Sequence, residues 1–288
     1  MSTAEIVATA GTDLAQEQQR VHKVLARRKV LVYTLRIGIL VVTLGAWELA
    51  ARAGWIDPFF FSMPSQIVDQ MWVWATEGTS QGSLWKQILV TMEETLLGFV
   101  IGAVAGVIAG IALGRNKLLA DVFSIYIKVA NSIPRVVLGS VFIIALGLGM
   151  ASKVALAVVM VFFVVFGNAF QGVREADRNL IANAHILGAS RRQVTFTVVL
   201  PSAMSWILAS LHVSFGFALV GAVVGEFLGA KQGIGLLIAT AQGAFNAAGV
   251  FASMIILALV ALGAEYLIEG LENVLLKWRP PQFAETGY

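Results

Sequence analysis

Lys128, Asn131 and Arg135 are the residues of this chain whose types and spacing point most directly to chemistry. With Asp121 and Ser124 they follow a 3-4-3-4 series that places all five on one helical face, up to a kink expected at Pro134. Two cations and an amide on one face suit an anion in a water-filled path, because ionisable groups at membrane depth are costly and face a cavity or a partner. The same residues would meet only water if the first half of the helix lay in the headgroup region, and spacing leaves both readings open. Glu226, followed by the Gly-rich turn GAKQGIG, is a further candidate for the path, at an outer gate; a rim carboxylate paired with Lys231 is the plainer account.

Covalent chemistry has no such support. His22, His185 and His212 are too scattered for a metal site, and no Ser/His/Asp constellation can be argued from spacing. No segment matches the phosphate-cradling pattern Gly, four residues, Gly-Lys-Ser/Thr, so this polypeptide is not expected to bind ATP or to be an enzyme. Cysteine is absent, which excludes disulfides and thiolate metal sites.

The elements that must position these residues are set by the solvent. Of the 288 residues, 58% are hydrophobic and 13% charged, and the mean hydropathy is +0.82. Those values exclude an ordinary soluble domain and predict an all-α polytopic membrane bundle. Six apolar stretches, at 30–50, 94–114, 121–146, 153–170, 205–228 and 249–268, each approach the roughly 20 residues needed to cross a bilayer core. The net charge of +3 does not imply nucleic acid, because the bases cluster at span ends.

Arg20, Lys23, Arg27, Arg28 and Lys29, then Arg115 and Lys117, then Arg174, Arg178, Arg191 and Arg192, then Lys277 and Arg279 all fall on one side, and only Arg52, Lys86, Lys153 and Lys231 fall on the other. The positive-inside rule makes that side cytoplasmic, with both termini. The first span then reads as an uncleaved anchor. Residues 1–29 form a cytoplasmic polar tail, 30–89 the first span with an outer aromatic loop, 90–278 the main membrane domain, and 279–288 a second tail. Trp55, Trp72, Trp74 and Trp85, with Phe59, Phe60 and Phe61 near Pro64, suit a short interfacial helix or a docking surface in that outer loop.

Two ridges of small residues predict close packing inside the membrane. Gly98, Gly102, Gly106, Gly110 and Gly114 recur every four residues in the second span, and Gly221 and Gly225 repeat the device in the fifth. In lipid, where burial of apolar surface drives nothing, such ridges let backbones approach and gain dispersion contact.

The charged segment 171–204 interrupts the fourth and fifth spans. Asp177 can cap a helix whose apolar positions Leu180, Ile181, Ala184 and Leu187 recur at helical steps, and Gly188 stands where a left-handed cap is needed. Ser190 and Gln193 form a capping-box pattern that starts a second short helix, and Pro201 marks entry into the next span.

This segment resembles the cytoplasmic loop of bacterial ABC importer permeases, whose pattern is EAA, three residues, Gly, nine residues, Ile, one residue, Leu-Pro. Gly188, Val198, Leu200 and Pro201 stand in register; the first triplet is Ala182-Asn183-Ala184, so the acidic residue of the pattern is replaced by Ala182. From about residue 90 to 278 the chain is similar to the type-I permease domain of the nitrate, taurine and aliphatic sulfonate subfamily. The residues that carry this are IPR at 133–135, GLGMASK at 147–153, LGASRRQ at 187–193, GAVVGEFLGAKQGIG at 221–235 and LLKWRP at 275–280.

The resemblance implies a multi-pass protein of the bacterial inner membrane and an alternating-access importer for a small, anionic solute. Its expected partners are a dimer of separate ATPase subunits gripping the loop around Gly188, a periplasmic or lipid-anchored binding protein, and a second permease chain in a homodimer. ATP would be bound by the partner subunit, with no cofactor on this chain. Related permeases carry neutral or cationic vitamin precursors, which is the alternative cargo. A secondary transporter driven by an ion gradient is the competing class, for which two repeated halves and buried coupling carboxylates would be expected.

Overall fold

The computed structural model describes residues 3–275, with the side chains of residues 25, 27–177, 179–268 and 270. Lys277, Arg279 and the 279–288 tail lie outside the described residues, as do the side chains of Arg20, His22, Lys23 and Arg178. Among the described residues the chain is helical, and its one β-type pairing is an isolated bridge between Thr79 and Gly82.

The fold divides at Gln66 and Ile67 into two units. The first holds α1 (Thr3–Arg52), whose part Arg27–Arg52 is long and apolar enough to cross a membrane. A one-turn helix follows, α2 (Pro58–Phe61), capped by the Asp57 side chain on the Phe59 N–H. Glu48 accepts hydrogen bonds from the Ser65 N–H and hydroxyl at 3.1 and 2.9 Å and so fixes the start of α3 (Pro64–Thr76). Several of the aromatic residues of this segment fall on α2 and α3, where Phe59, Phe60, Phe61 and Trp72 are exposed.

The second unit is built on three long helices: α4 (Leu84–Arg115), α7 (Met150–Arg174) and α10 (Leu200–Leu228). Ridge packing explains why these three associate. A Cβ on Gly102 would lie 2.8 Å from the Val158 carbonyl oxygen, one on Gly106 2.9 Å from Phe162 O, one on Gly110 2.6 Å from Ala169 Cβ, and one on Gly114 2.9 Å from Val173 Cβ; Gly98 faces Ala157. Both numberings rise together, so α4 and α7 run parallel. On α10, Gly221 faces Ala157 and Gly225 faces Lys153, so α10 runs antiparallel to α7, and it also touches α4, where Phe99 meets Phe215 edge to face. Ala157 is met by glycines of both α4 and α10, and its helix carries fully buried residues of the core, including Leu156, Val161, Val165 and Ala169.

Three expected spans are redrawn. The second begins at Leu84 rather than 94, because its first turns carry Gln87, Thr91, Glu94 and Thr95 turned into the protein, where hydropathy reads them as loop. The third is a bent pair. α5 (Lys117–Ser132) and the stretch through α6 (Leu138–Leu146) meet at 76°. Pro134 has no N–H to donate, and its ring drives Ile133 to φ −76°, ψ 126°, out of the helical region. The fifth begins at Arg191: α9 (Arg191–Val194) runs into α10 through a π-helical turn at Thr195–Val199. The Pro201 ring would collide with the carbonyl four residues back, Thr197, and a widened turn there relieves the collision without ending the helix. Among the described residues five helices are long and apolar enough to span, and a sixth span results if the bent pair counts as one.

Candidate functional site: the Gly188 loop and a buried polar cluster

Between α7 and α9 lies α8 (Arg178–Ile186), and the local rules hold at each of its ends. The Asp177 carboxylate accepts from the Asn179 N–H at 2.7 Å. At the other end Gly188 has φ +82°; its N–H donates to His185 O, and the Ala189 N–H donates to Ala184 O at 2.9 Å. This is the Schellman pattern, which needs a left-handed residue at that position. The capping box follows at once: the Ser190 hydroxyl accepts from the Gln193 N–H, and the Gln193 side chain accepts from the Ser190 N–H at 2.8 Å.

One face of this loop is anchored and the other is bare. Ile181, Ala184, Ala189 and Val198 pack on a core of Ala176, Val194, Val199, Ala203 and Ile207. Ile186 and Leu187 stand 82% and 86% exposed beside Gly188, and beyond its chain neighbours no atom of the described residues lies within 4 Å of where a Gly188 Cβ would be. Of the residues in register with the permease pattern, Ala182, Asn183 and Pro201 are exposed while Val198 and Leu200 are half-buried. Arg191 and Arg192 are exposed beside the turn.

The polar stripe is partly assembled. Asp121, Ser124, Lys128 and Asn131 lie exposed on α5, and Arg135 stands beyond the break. Its guanidinium nevertheless reaches back to the Asn131 side-chain oxygen at 2.6 Å and lies 4.8 Å over the Phe163 ring of α7. Glu226 does not join this group.

Instead Glu226 sits at the end of α10 opposite the Gly188 loop, fully buried (0% exposed), and the reading of it as a rim carboxylate paired with Lys231 is corrected here. Its carboxylate accepts from the Thr91 hydroxyl and from the Gly235 N–H, both at 2.7 Å. Thr91 Oγ1 in turn accepts from the Ile234 N–H at 2.9 Å, and the Gln87 side-chain oxygen accepts from the Gly233 N–H at 2.7 Å. Three successive N–H groups at the start of α11 (Ile234–Gly243), which would otherwise be orphaned, are therefore satisfied by side chains of α4 and α10. A Cβ on Gly233 or Gly235 would collide with Glu226, so both positions require glycine.

Lys153, read from the sequence as an outer-loop base, is 1% exposed. Its ammonium donates to the carbonyls of Leu148 and Gly149, at 2.7 and 3.1 Å, in the turn between α6 and α7. Glu94, 3% exposed, lies within electrostatic reach of both Glu226 and Lys153, and its Oε2 has no hydrogen-bond partner. Sequence reasoning missed Gln87, Thr91, Glu94 and Lys153. The available signal was the four-residue spacing of Gln87, Thr91 and Thr95 ahead of a glycine ridge. No group of three or more His, Cys, Asp or Glu residues suited to a metal occurs among the described residues.

Comparison with known proteins agrees with this architecture. Residues 102–275 match the family described as binding-protein-dependent transport system inner membrane component. The riboflavin transport system permease protein RibX of Chloroflexus aurantiacus is 31% identical over 239 residues, covering 83% of this chain and 88% of that protein. The taurine transport system permease protein TauC of Escherichia coli is 29% identical over 246 residues, covering 85% and 90%. Among solved structures, an amino acid ABC transporter superposes with a TM-score of 0.54 at 18% identity, over 67% of this chain and 92% of that one, which is a likeness of fold. The chain belongs to the family of binding-protein-dependent transport system inner membrane components.

Proposed function

We propose that this chain is the transmembrane permease subunit of an ATP-driven importer for a small anionic solute. The observation that carries the reading is the Gly188 loop: a short helix fixed by caps at both ends, anchored on one face, and presenting Ile186, Leu187 and two arginines outward. Such a rigid apolar projection suits a partner's groove, and no segment of the sequence matches the phosphate-cradling pattern Gly, four residues, Gly-Lys-Ser/Thr. A separate ATPase dimer grips the loop, a binding protein delivers cargo at the opposite end, and two copies of the permease enclose the path. The loop and both termini face the cytoplasm of a bacterial cell, and the spans lie in its inner membrane. Residues 90–278 are the transport domain, 30–89 an added span with its outer aromatic elements, and 1–29 and 279–288 cytoplasmic tails.

Lys128, Asn131 and Arg135 line the path, and Glu226 belongs to its outer end. The anionic class rests on Arg135 and Asn131, held together at the break of the third span, and accords with the taurine permease among the relatives. Riboflavin, named for another relative, keeps a neutral vitamin-like cargo as the second reading. The test is reconstitution: the chain alone in liposomes gives neither ATP hydrolysis nor uptake, and gains both with its cognate ATPase and binding protein. Uptake driven by an imposed ion gradient without ATPase overturns this reading in favour of a secondary transporter.

A further inference from the structure

The cluster around Glu226 is an unusual way to hold helices together. Two carboxylates and one ammonium, with Gln87 and Thr91, are buried where the ends of α4, α7 and α10 meet the start of α11. A buried charge cluster gains little over an apolar core of the same shape, because the desolvation of each charge offsets the attraction between them. Its distinctive property is that water stabilises the opened form: separated carboxylates and ammonium are well solvated, whereas separated leucines are not. The Glu94 Oε2 atom is buried without a hydrogen-bond partner, so the closed arrangement leaves one of its polar atoms unsatisfied.

The element held by the cluster is suited to release. α11 has ten residues, about 15 Å at 1.5 Å per residue, too short to cross a bilayer core of about 30 Å. It is tied at its start by the hydrogen bonds to Gly233, Ile234 and Gly235, and the GAKQGIG turn before it is exposed at Lys231. Lys153, within electrostatic reach of Glu226 and Glu94, donates to the turn that ends α6, the half of the broken span following Arg135. We propose that Gln87, Thr91 and Glu226, backed by Glu94 and Lys153, are positioning residues that form a latch: dry, they hold the start of α11 closed over the outer end of the bundle, and they release it when water enters as the path opens outward. The latch rests on the reading of the chain as an importer permease with Glu226 at the outer end.

The chain has no cysteine, so single thiols can report the motion in the assembled complex with the cognate ATPase. Leu237, 1% exposed, and the smaller buried Ala241 both lie on α11. Leu237→Cys is labelled with a membrane-impermeant maleimide in the nucleotide-free complex and in the complex trapped with ATP and vanadate; Ala241→Cys replaces it should the first variant fail to assemble. Exposed Lys231→Cys is the control for access. The latch predicts labelling at least tenfold faster in the trapped state at the buried site, with the control changing little. It also predicts that Glu226→Ala raises the nucleotide-free rate toward the trapped one. Equal slow labelling in both states, in a complex whose hydrolysis responds to the binding protein, overturns the latch and leaves the permease reading standing. Absence of that response in the unmodified complex overturns both.

Discussion

Replacement of Gly188 separates two contributions to the loop that its own geometry distinguishes. At φ +82° a side chain costs about 1–2 kcal/mol through the Cβ clash with the following carbonyl. Beyond Gly188 and its two chain neighbours, no atom of the described residues lies within 4 Å of the added Cβ, so Gly188→Ala carries that backbone cost and no packing cost within the chain. A loss of 1–2 kcal/mol lowers the population of the capped loop about 5- to 30-fold relative to its alternatives. Asparagine tolerates the left-handed region, so Gly188→Asn restores most of the backbone term while adding more bulk than alanine.

The pair therefore reads two surfaces. Weakened ATPase capture by Gly188→Ala, with Gly188→Asn near the unsubstituted protein, locates the requirement in the turn itself. Stronger loss for Gly188→Asn means that a partner presses on the open side, next to Ile186 and Leu187. The assays are the affinity of ATPase pull-down and hydrolysis stimulated by the loaded binding protein; insertion should be unaffected because no span changes hydropathy. Normal values for both variants in both assays would refute the loop as the coupling element.

Two further outcomes follow from the packing and from the stripe. Gly106→Ala places a Cβ 2.9 Å from Phe162 O and 3.0 Å from Val165 Cβ, and should destabilise the bundle by about 1–3 kcal/mol; Gly167→Ala, with nothing within 4 Å, should be neutral or stabilising by up to about 1 kcal/mol. Unfolding of the two variants in a denaturing-detergent titration checks the opposite signs. Arg135→Gln and Lys128→Gln should lower uptake of an anionic substrate while leaving ATPase assembly intact, and unchanged transport in both returns these residues to the headgroup reading.

What could be read from the chain before folding was whatever depends on a short window. Span hydropathy, the four-residue glycine ridge, the Asp177 and Ser190 caps and the left-handed Gly188 each involve residues a few positions apart, so periodicity and backbone chemistry suffice. The tertiary structure decided whatever depends on which face turns inward. Gln87 and Thr91 precede the expected start of the second span, yet they form its first buried turns, because their partners lie on the Gly233–Gly235 backbone and on Glu226, as many as 146 residues away in sequence. Lys153 and Glu226 read as ordinary rim charges for the same reason. Hydropathy scores a residue by its transfer from water to lipid; it is silent when the destination is another polar side chain, and only the approach of α4, α7 and α10 along their glycines brings those side chains together.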